Sequence, residues 1–502
     1  MKVEFIDQTL RDGQQSLWGL RMRAHQALPA LADLDATGYR TVDVTGAGMF
    51  TVLLRTFRDD PWATLDQLVA GLPRTPKRAG TRTVSVGGMG FAPDSVVDLW
   101  IRLLVRHGID SLWLFDCSFD LPQMQRVAGV VTAAGAHPVP TLMYGLTSVH
   151  DDAFFASRAA QMARWPGVEA IEVEDAAGVL TPERARTLLP AVVQAAGGTP
   201  VELHCHCTTG MAPVVYVDAL EAGIAVLHTC SRPMANGPSL PSVEGMLTNL
   251  EVLGHEHELD CTHLQPVADH FVATAHAAGG PAAGYPLGQP NEYQVAPYEI
   301  QLPGGMTGSL RSQLAQYGML DRLPAVLAEI PQVRKDLGEP IMATPFSQFV
   351  GIQALLNVIT GTRYSLIPDE VVQYALGQYG PLAQPVSSDV EDRILGSDRA
   401  KHFASWTRPQ PSLAELRQSF GTSISEEELL LRVLHSGEEV DGMLAAGPSV
   451  RDPRLASSAI VANITDLLAD TSPGVTSLAV TSPALTLSLR RASTPPAPSP
   501  VS

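Results

Sequence analysis

The sequence predicts an α/β protein: a (β/α)8 barrel, then a mostly helical domain and a short tail. Three observations carry this reading. Short β-rich apolar runs alternate with amphipathic helical stretches through the first half of the chain, and charged and polar residues gather where those runs end. From about Gly280 the alternation gives way to long helical stretches.

Strands are expected at Val3–Thr9, Tyr39–Thr45, Thr81–Val86, Ser111–Cys117, Val139–Tyr144, Ala170–Glu174, Val201–Cys207 and Ala225–Cys230. Helices are expected between them at Met22–Thr37, Asp94–His107, Pro122–Ala134, Ala156–Trp165 and Pro182–Ala196. So many strand–helix repeats in so short a stretch fit a closed barrel better than an open doubly wound sheet. Arg11, Asp12, Asp43, Asp116, Glu174, Asp175, His204 and His206 fall at or near strand C-termini, which in a barrel form the catalytic rim.

The barrel is expected over 1–285, with a connector of Gly, Pro and polar residues after Gly280, and the helical domain over 286–447. The remainder, 448–502, should hold a short helix at Ala459–Ala469, β-like runs at Val475–Val480 and Leu485–Arg490, and a mobile Pro/Ser/Ala-rich end from Ala492.

Composition narrows the function. A net charge of −18 over 502 residues argues against a nucleic-acid or anionic-membrane surface, which needs clustered Lys and Arg. Five Cys without a Cys-x-x-Cys pair do not make a disulfide framework, and the chain opens directly on a strand-like run without a signal region. With no apolar run of membrane-spanning length, a cytoplasmic protein is expected.

The residues themselves suggest a metal centre. A strand sends alternate side chains to one face, so His204 and His206 can meet one ion while Cys205 and Cys207 point away. Asp12, at the end of another strand, adds a carboxylate, and this donor set suits zinc, cobalt or manganese with positions left open for substrate.

Four segments, DQTLRDGQQSLWGLRM from Asp7, VELHCHCTTG from Val201 through PMANGPSLPSVE, QLPGGMTGSL from Gln301 and IMATPFSQFVG from Ile341, resemble the biotin-dependent carboxyltransferases. These include the oxaloacetate decarboxylase α subunit, the transcarboxylase 5S subunit and the carboxyltransferase domain of pyruvate carboxylase. The likeness runs in order over about residues 1–440. It implies a metal-containing barrel with a helical domain that funnels carboxybiotin to the ion. It also implies Asp12, His204 and His206 as metal ligands, Gln15 and Arg82 as substrate contacts, and Tyr144 as a pocket wall. The residue-level alternatives are a loop amide for Gln15, a surface Arg at a strand start for Arg82 and a core aromatic for Tyr144.

The chain departs from the family pattern in places that bear on chemistry. Glu174 of Glu174-Asp175-Ala176-Ala177-Gly178 stands where the family has a carbamylated Lys, and its shorter arm reaches the ion only if the ion shifts or a water bridges. Pro238, beside Ser239 at the expected biotin-facing position, replaces a Thr thought to relay a proton. Thr45, Val84 and Phe119 also differ and suggest a reshaped, less polar pocket. The expected activity is CO2 transfer between carboxybiotin and an enolisable, non-pyruvate acceptor through a metal-stabilised enolate. A biotin-independent 2-oxo acid lyase or aldolase and a non-catalytic subunit are the alternatives. No Met-Lys-Met biotinylation motif occurs, so biotin should arrive in trans on a biotin carboxyl carrier protein loaded by a biotin carboxylase. The tail after Ile460 is similar to the leader that precedes the biotinyl domain of such carriers, and related barrels imply a homodimer.

Overall fold

A computed structural model describes residues 1–276, 293, 295–303, 306, 310, 311, 314, 318–448, 477–482 and 485–490. The expected connector after Gly280, Gly304 and Gly305 of the PGGM turn, the expected helix Ala459–Ala469 and the end from Ala492 lie outside these residues. Eight parallel strands form the barrel: β1 (Lys2–Asp7), β2 (Thr41–Thr45), β3 (Lys77–Arg82), β4 (Ser111–Phe115), β5 (His137–Met143), β6 (Ile171–Asp175), β7 (Val201–Cys205) and β8 (Val226–Thr229). Each pairs with the next, and β1 pairs with both β8 (Phe5 beside Leu227) and β2 (Ile6 beside Thr41), which closes the ring. A two-residue strand, β9 (Glu256–His257), adds to the start of β1.

The strands are buried on both faces because helices cover the outside, and β2, β4, β6 and β7 have no exposed residue. Alternation then sorts each strand. On β6, Ile171 and Val173 pack outward while Glu172 and Glu174 face the interior. On β7, Leu203 and Cys205 pack outward while Glu202 and His204 face inward. Gly80 of β3 is required by packing, since a Cβ there would lie 2.2 Å from the Trp113 ring of β4.

One strand is misplaced by the sequence reading. The expected strand Thr81–Val86 is rich in β-branched residues, but the strand that forms is Lys77–Arg82. Its charged residues can enter the barrel because Arg78, fully buried, pairs with Glu202 across the interior at 2.5 Å. Arg82 therefore ends β3 at the catalytic rim instead of starting it. The sequence also leaves unmarked the outer helices Pro61–Ala70, Ala212–Glu221, Val243–Leu253 and Leu264–His276.

The helical region covers the strand C-terminal end of the barrel. Helices Leu323–Asp336 and Phe346–Thr360 pack together, and shorter helices continue to Ala446. Polar clasps tie it down. Gln301 both accepts from the Leu146 N–H (2.8 Å) and donates to the Leu146 carbonyl (3.0 Å), and the Tyr379 hydroxyl donates to the Met89 carbonyl at 3.0 Å. Strands Ser477–Ser482 and Leu485–Arg490 pair antiparallel with each other. Among the described residues, no helix is long and apolar enough to cross a membrane.

Candidate active site

Directly after β1 the chain makes one wide turn of π-helix, Thr9–Gly13, and then a short helix, Gln14–Trp18. This turn holds Asp12 over the barrel mouth, an irregularity typical of functional sites. Across the mouth, His204 near the end of β7 and His206 just beyond it bring their Nε2 atoms within 3.1 Å of each other. Asp12 Oδ2 lies 3.6 Å from His204 Nε2, and Asp12 Oδ1 lies 3.4 Å from His206 Nε2. All three side chains are buried.

Neighbours hold the triangle in shape. Arg11 Nη1 donates to Asp12 at 2.7 Å while its Nε donates to Asp43 at 3.0 Å, and its guanidinium lies 4.8 Å above the Trp113 ring. The Ser16 hydroxyl donates to the other Asp12 oxygen at 2.7 Å. Burial alone would raise the Asp12 pKa, but Arg11 and the two imidazoles outweigh it and keep the group below the usual carboxylate range. His206 Nδ1 lies 2.6 Å from the Pro238 carbonyl, an acceptor only, so Nδ1 carries a proton and Nε2 is the nitrogen turned to the triangle.

The triangle opens onto a cavity of about 320 Å3 between barrel and helical region. Gln15 and Arg82 line it from the barrel, and Pro303, Met306, Thr344 and Gln348 from the helical side. Arg82 donates to the backbone carbonyls of Val86 (3.0 Å) and Gly88 (2.8 Å). Among the described residues it has no carboxylate partner, and desolvation pulls its pKa down to about 10. Gln15 is exposed to the cavity, and Gln348 Oε1 is buried without a partner among the described residues. Glu174 lines the same cavity, but the ligand-like cluster closes on Asp12, His204 and His206 without it. Among the described residues its Oε2 has no partner, and burial pushes its pKa up to about 8.

Several expected site residues are placed elsewhere. Tyr144 is not a pocket wall: it follows Met143 in the alternation, so Met143 faces the cavity while Tyr144 packs outward, 6.0 Å from the Phe155 ring. Ser239 is fully buried and donates to the Met234 carbonyl at 2.8 Å, away from the cavity. Pro238 acts through its carbonyl on His206, not through its ring. Of the substitutions read as reshaping the pocket, neither Thr45 nor Phe119 lines the cavity. Phe119, held at φ +54°, packs on Phe154 with ring centroids 5.2 Å apart, and Val84 lines only a neighbouring crevice under Thr344. The sequence reading missed the polar interior beneath the mouth, Arg78, Glu172, Glu202 and His228. Its one available signal was the alternation that puts Glu202 on the same face as His204.

Family comparisons agree with this architecture. A model described as "Conserved carboxylase domain" matches residues 298–442, and the HMGL-like model matches residues 126–271. A pyruvate carboxylase subunit of Methanocaldococcus jannaschii is 33% identical over 78% of this chain and 68% of its own length. The methylmalonyl-CoA carboxyltransferase 5S subunit of Propionibacterium freudenreichii is 32% identical over 77% of this chain and 75% of its own. The 2-oxoglutarate carboxylase large subunit of Hydrogenobacter thermophilus is 29% identical over 88% and 68%. In fold, the carboxyl transferase domain of Rhizobium etli pyruvate carboxylase with pyruvate and biocytin superposes with a TM-score of 0.81 at 22% identity, covering 97% of this chain and 84% of that one. By these relatives, the barrel and the helical region it carries, this chain belongs to the biotin-dependent carboxyltransferase family.

Proposed function

We propose that the chain is the carboxyltransferase subunit of a multi-subunit system, moving CO2 between carboxybiotin and a small enolisable acceptor other than pyruvate. The observation that carries this is the Asp12–His204–His206 triangle opening beside Arg82. Its edges of 3.1, 3.4 and 3.6 Å fit donors held about 2.0–2.2 Å from one tetrahedral ion. Asp12, His204 and His206 would hold zinc, cobalt or manganese, with Glu174 close by, and the ion would polarise the acceptor's oxo group as a Lewis acid.

The other residues bind, orient and shield. Arg82 takes the acceptor carboxylate, since among the described residues its charge is otherwise met only by backbone carbonyls. Gln15 offers its amide to the oxo oxygen. Thr344 and Gln348 close the helical side, where carboxybiotin would enter. Pro238 has no side-chain proton to pass, and its carbonyl is engaged by His206, so pyruvate chemistry lacks the relay the family uses. Relatives named for both pyruvate and 2-oxoglutarate support an acceptor that varies on this scaffold.

In this reading residues 1–285 are the metal-binding barrel, 286–447 the carboxybiotin-facing domain and 448–502 a tail for partner contact. A biotin carboxyl carrier protein delivers the biotin, a biotin carboxylase loads it, and the chain works as a homodimer in the cytoplasm. The hairpin of Ser477–Ser482 and Leu485–Arg490 is a two-stranded unit suited to joining a partner's sheet.

The test is oxaloacetate decarboxylation with free biotin, compared with carboxyl transfer to a panel of 2-oxo acids. The pyruvate reaction should run about a hundred-fold below another acceptor, and Pro238→Thr should raise it. Pyruvate as the best acceptor would overturn the non-pyruvate reading. Streptavidin detection of partners pulled down by full-length but not tail-truncated protein tests delivery in trans. No biotinylated partner, together with full activity of the isolated chain, would favour a biotin-independent lyase.

A further inference from the structure

We propose that His228 sets the tautomer of His204, as the middle member of a buried chain that runs Arg78, Glu202, His228, His204 across the barrel interior. This makes His228 a positioning residue: it presents the His204 Nε2 lone pair to the mouth without touching an ion or substrate. The role extends the metal reading above, but its core claim concerns protons in the metal-free protein.

The chain starts from charge. Arg78 on β3 and Glu202 on β7 are fully buried and joined by two hydrogen bonds, of 2.5 and 3.3 Å. The Arg78 guanidinium, which can only donate, reaches both carboxylate oxygens and holds Glu202 as an acceptor. A carboxylate only accepts. His228 Nε2, 3.3 Å from Glu202 Oε2, is therefore the protonated nitrogen of that ring. The Gln8 side-chain NH2 lies 3.1 Å from the other nitrogen, so Nδ1 is the bare, accepting nitrogen of that ring.

That bare nitrogen faces two groups, Gln8 Nε2 and His204 Nδ1, each at 3.1 Å. The orientation of the Gln8 amide is independently set, because its oxygen accepts from Arg11 Nη2 at 3.0 Å. Facing a bare His228 Nδ1 at hydrogen-bond distance, His204 Nδ1 must be the donor, which leaves His204 Nε2 bare toward Asp12 and His206. With both rings neutral, their Nε2 lone pairs face each other across 3.1 Å, and a cation held between them would relieve the repulsion.

One rival arrangement uses the same atoms. Glu172 Oε1 lies 3.6 Å from His204 Nδ1 and 3.9 Å from His228 Nδ1, so these three could hold a second ion with His204 as a bridge. In that case His204 Nδ1 would be a ligand and not a donor. The Gln8 N–H aimed at His228 Nδ1 weighs against it.

The test takes full-length protein labelled with 15N at histidine and stripped of metal. Long-range 1H–15N correlation should show His204 protonated at Nδ1, and a His204 protonated at Nε2 would overturn the proposal. A second arm compares His228→Asn, whose side-chain oxygen can still accept from His204 Nδ1, with His228→Leu, which cannot. The leucine variant should bind Co2+ about ten- to a hundred-fold more weakly and change its visible absorption, while asparagine restores most of both. Equal loss in the two variants would reduce His228 to a packing role. Two ions per chain falling to one in Glu172→Gln would establish the bridged rival. If no Co2+ binds to any form, the metal reading fails, and the tautomer is still decided by the first arm.

Discussion

Two layers of the same barrel treat charge in opposite ways. In the interior, Arg78 and Glu202 face each other fully buried, His228 meets Glu202 and Gln8 meets His228, and among the described residues Glu172 Oε2 and Asp43 Oδ1 are left over. At the mouth, two residues further along β6 and β7, Glu174 Oε2 and Gln348 Oε1 have no partner among the described residues, Arg82 has only backbone carbonyls among them, and two imidazoles bring their Nε2 atoms within 3.1 Å of each other. Buried polar groups are expensive unless paired, so the interior layer reads as structure and the mouth as places kept for ligands. Arg11 joins the layers: it is engaged by Gln8 below and by Asp12 above.

The comparison breaks most easily at the triangle. Purified wild-type protein should retain about one divalent ion per chain, and His204→Ala, His206→Ala and Asp12→Ala should each retain almost none by elemental analysis. Equal metal in all four would remove the functional meaning of the mouth. In the interior the expected loss is of stability. Arg78→Met leaves Glu202 ionised and unpaired, and should cost about 3–5 kcal/mol in urea unfolding. Adding Glu202→Leu should recover much of that, whereas a fully stable Arg78→Met would mean that the pair is not structural.

A smaller effect is expected at Arg82. Arg82→Met should leave urea unfolding nearly unchanged but raise KM for the acceptor by about ten- to a hundred-fold, the worth of a hydrogen-bonded charge. An unchanged KM would return Arg82 to a scaffold role.

Smallest is a pH effect from Glu174. Its pKa is raised by burial to about 8. A carboxyl whose folded pKa exceeds its unfolded one stabilises fully below the unfolded value, and that contribution is lost as pH rises through the folded value. Metal-free wild type should therefore lose stability relative to Glu174→Gln between about pH 4.3 and 8. A difference between the two that does not change with pH would show Glu174 unperturbed, and bound metal should suppress the slope.

Much of the fold was legible because its signals are local. The helix Pro182–Ala196 matches its expected bounds, since Thr181 caps it and Gly197 ends it in a left-handed turn. The triangle was legible because Asp12 sits in a distinctive motif and His-x-His is a strand spacing. By contrast, β3 was misread because its inward Arg78 is acceptable only with Glu202 opposite, a partner 124 positions away.

By itself, then, the sequence determined the alternation of strands and helices, the family motifs and which residues could be metal donors, because period, caps and motif spacing are properties of neighbouring residues. Tertiary structure decided that Tyr144 faces outward, that Pro238 serves through its carbonyl, and that Arg78, Glu202 and His228 stand behind His204. The reason is closure. Joining β1 to β8 and β2 gives every strand an inside, and only there can side chains from β3, β7 and β8 meet and set one another's charge and proton positions.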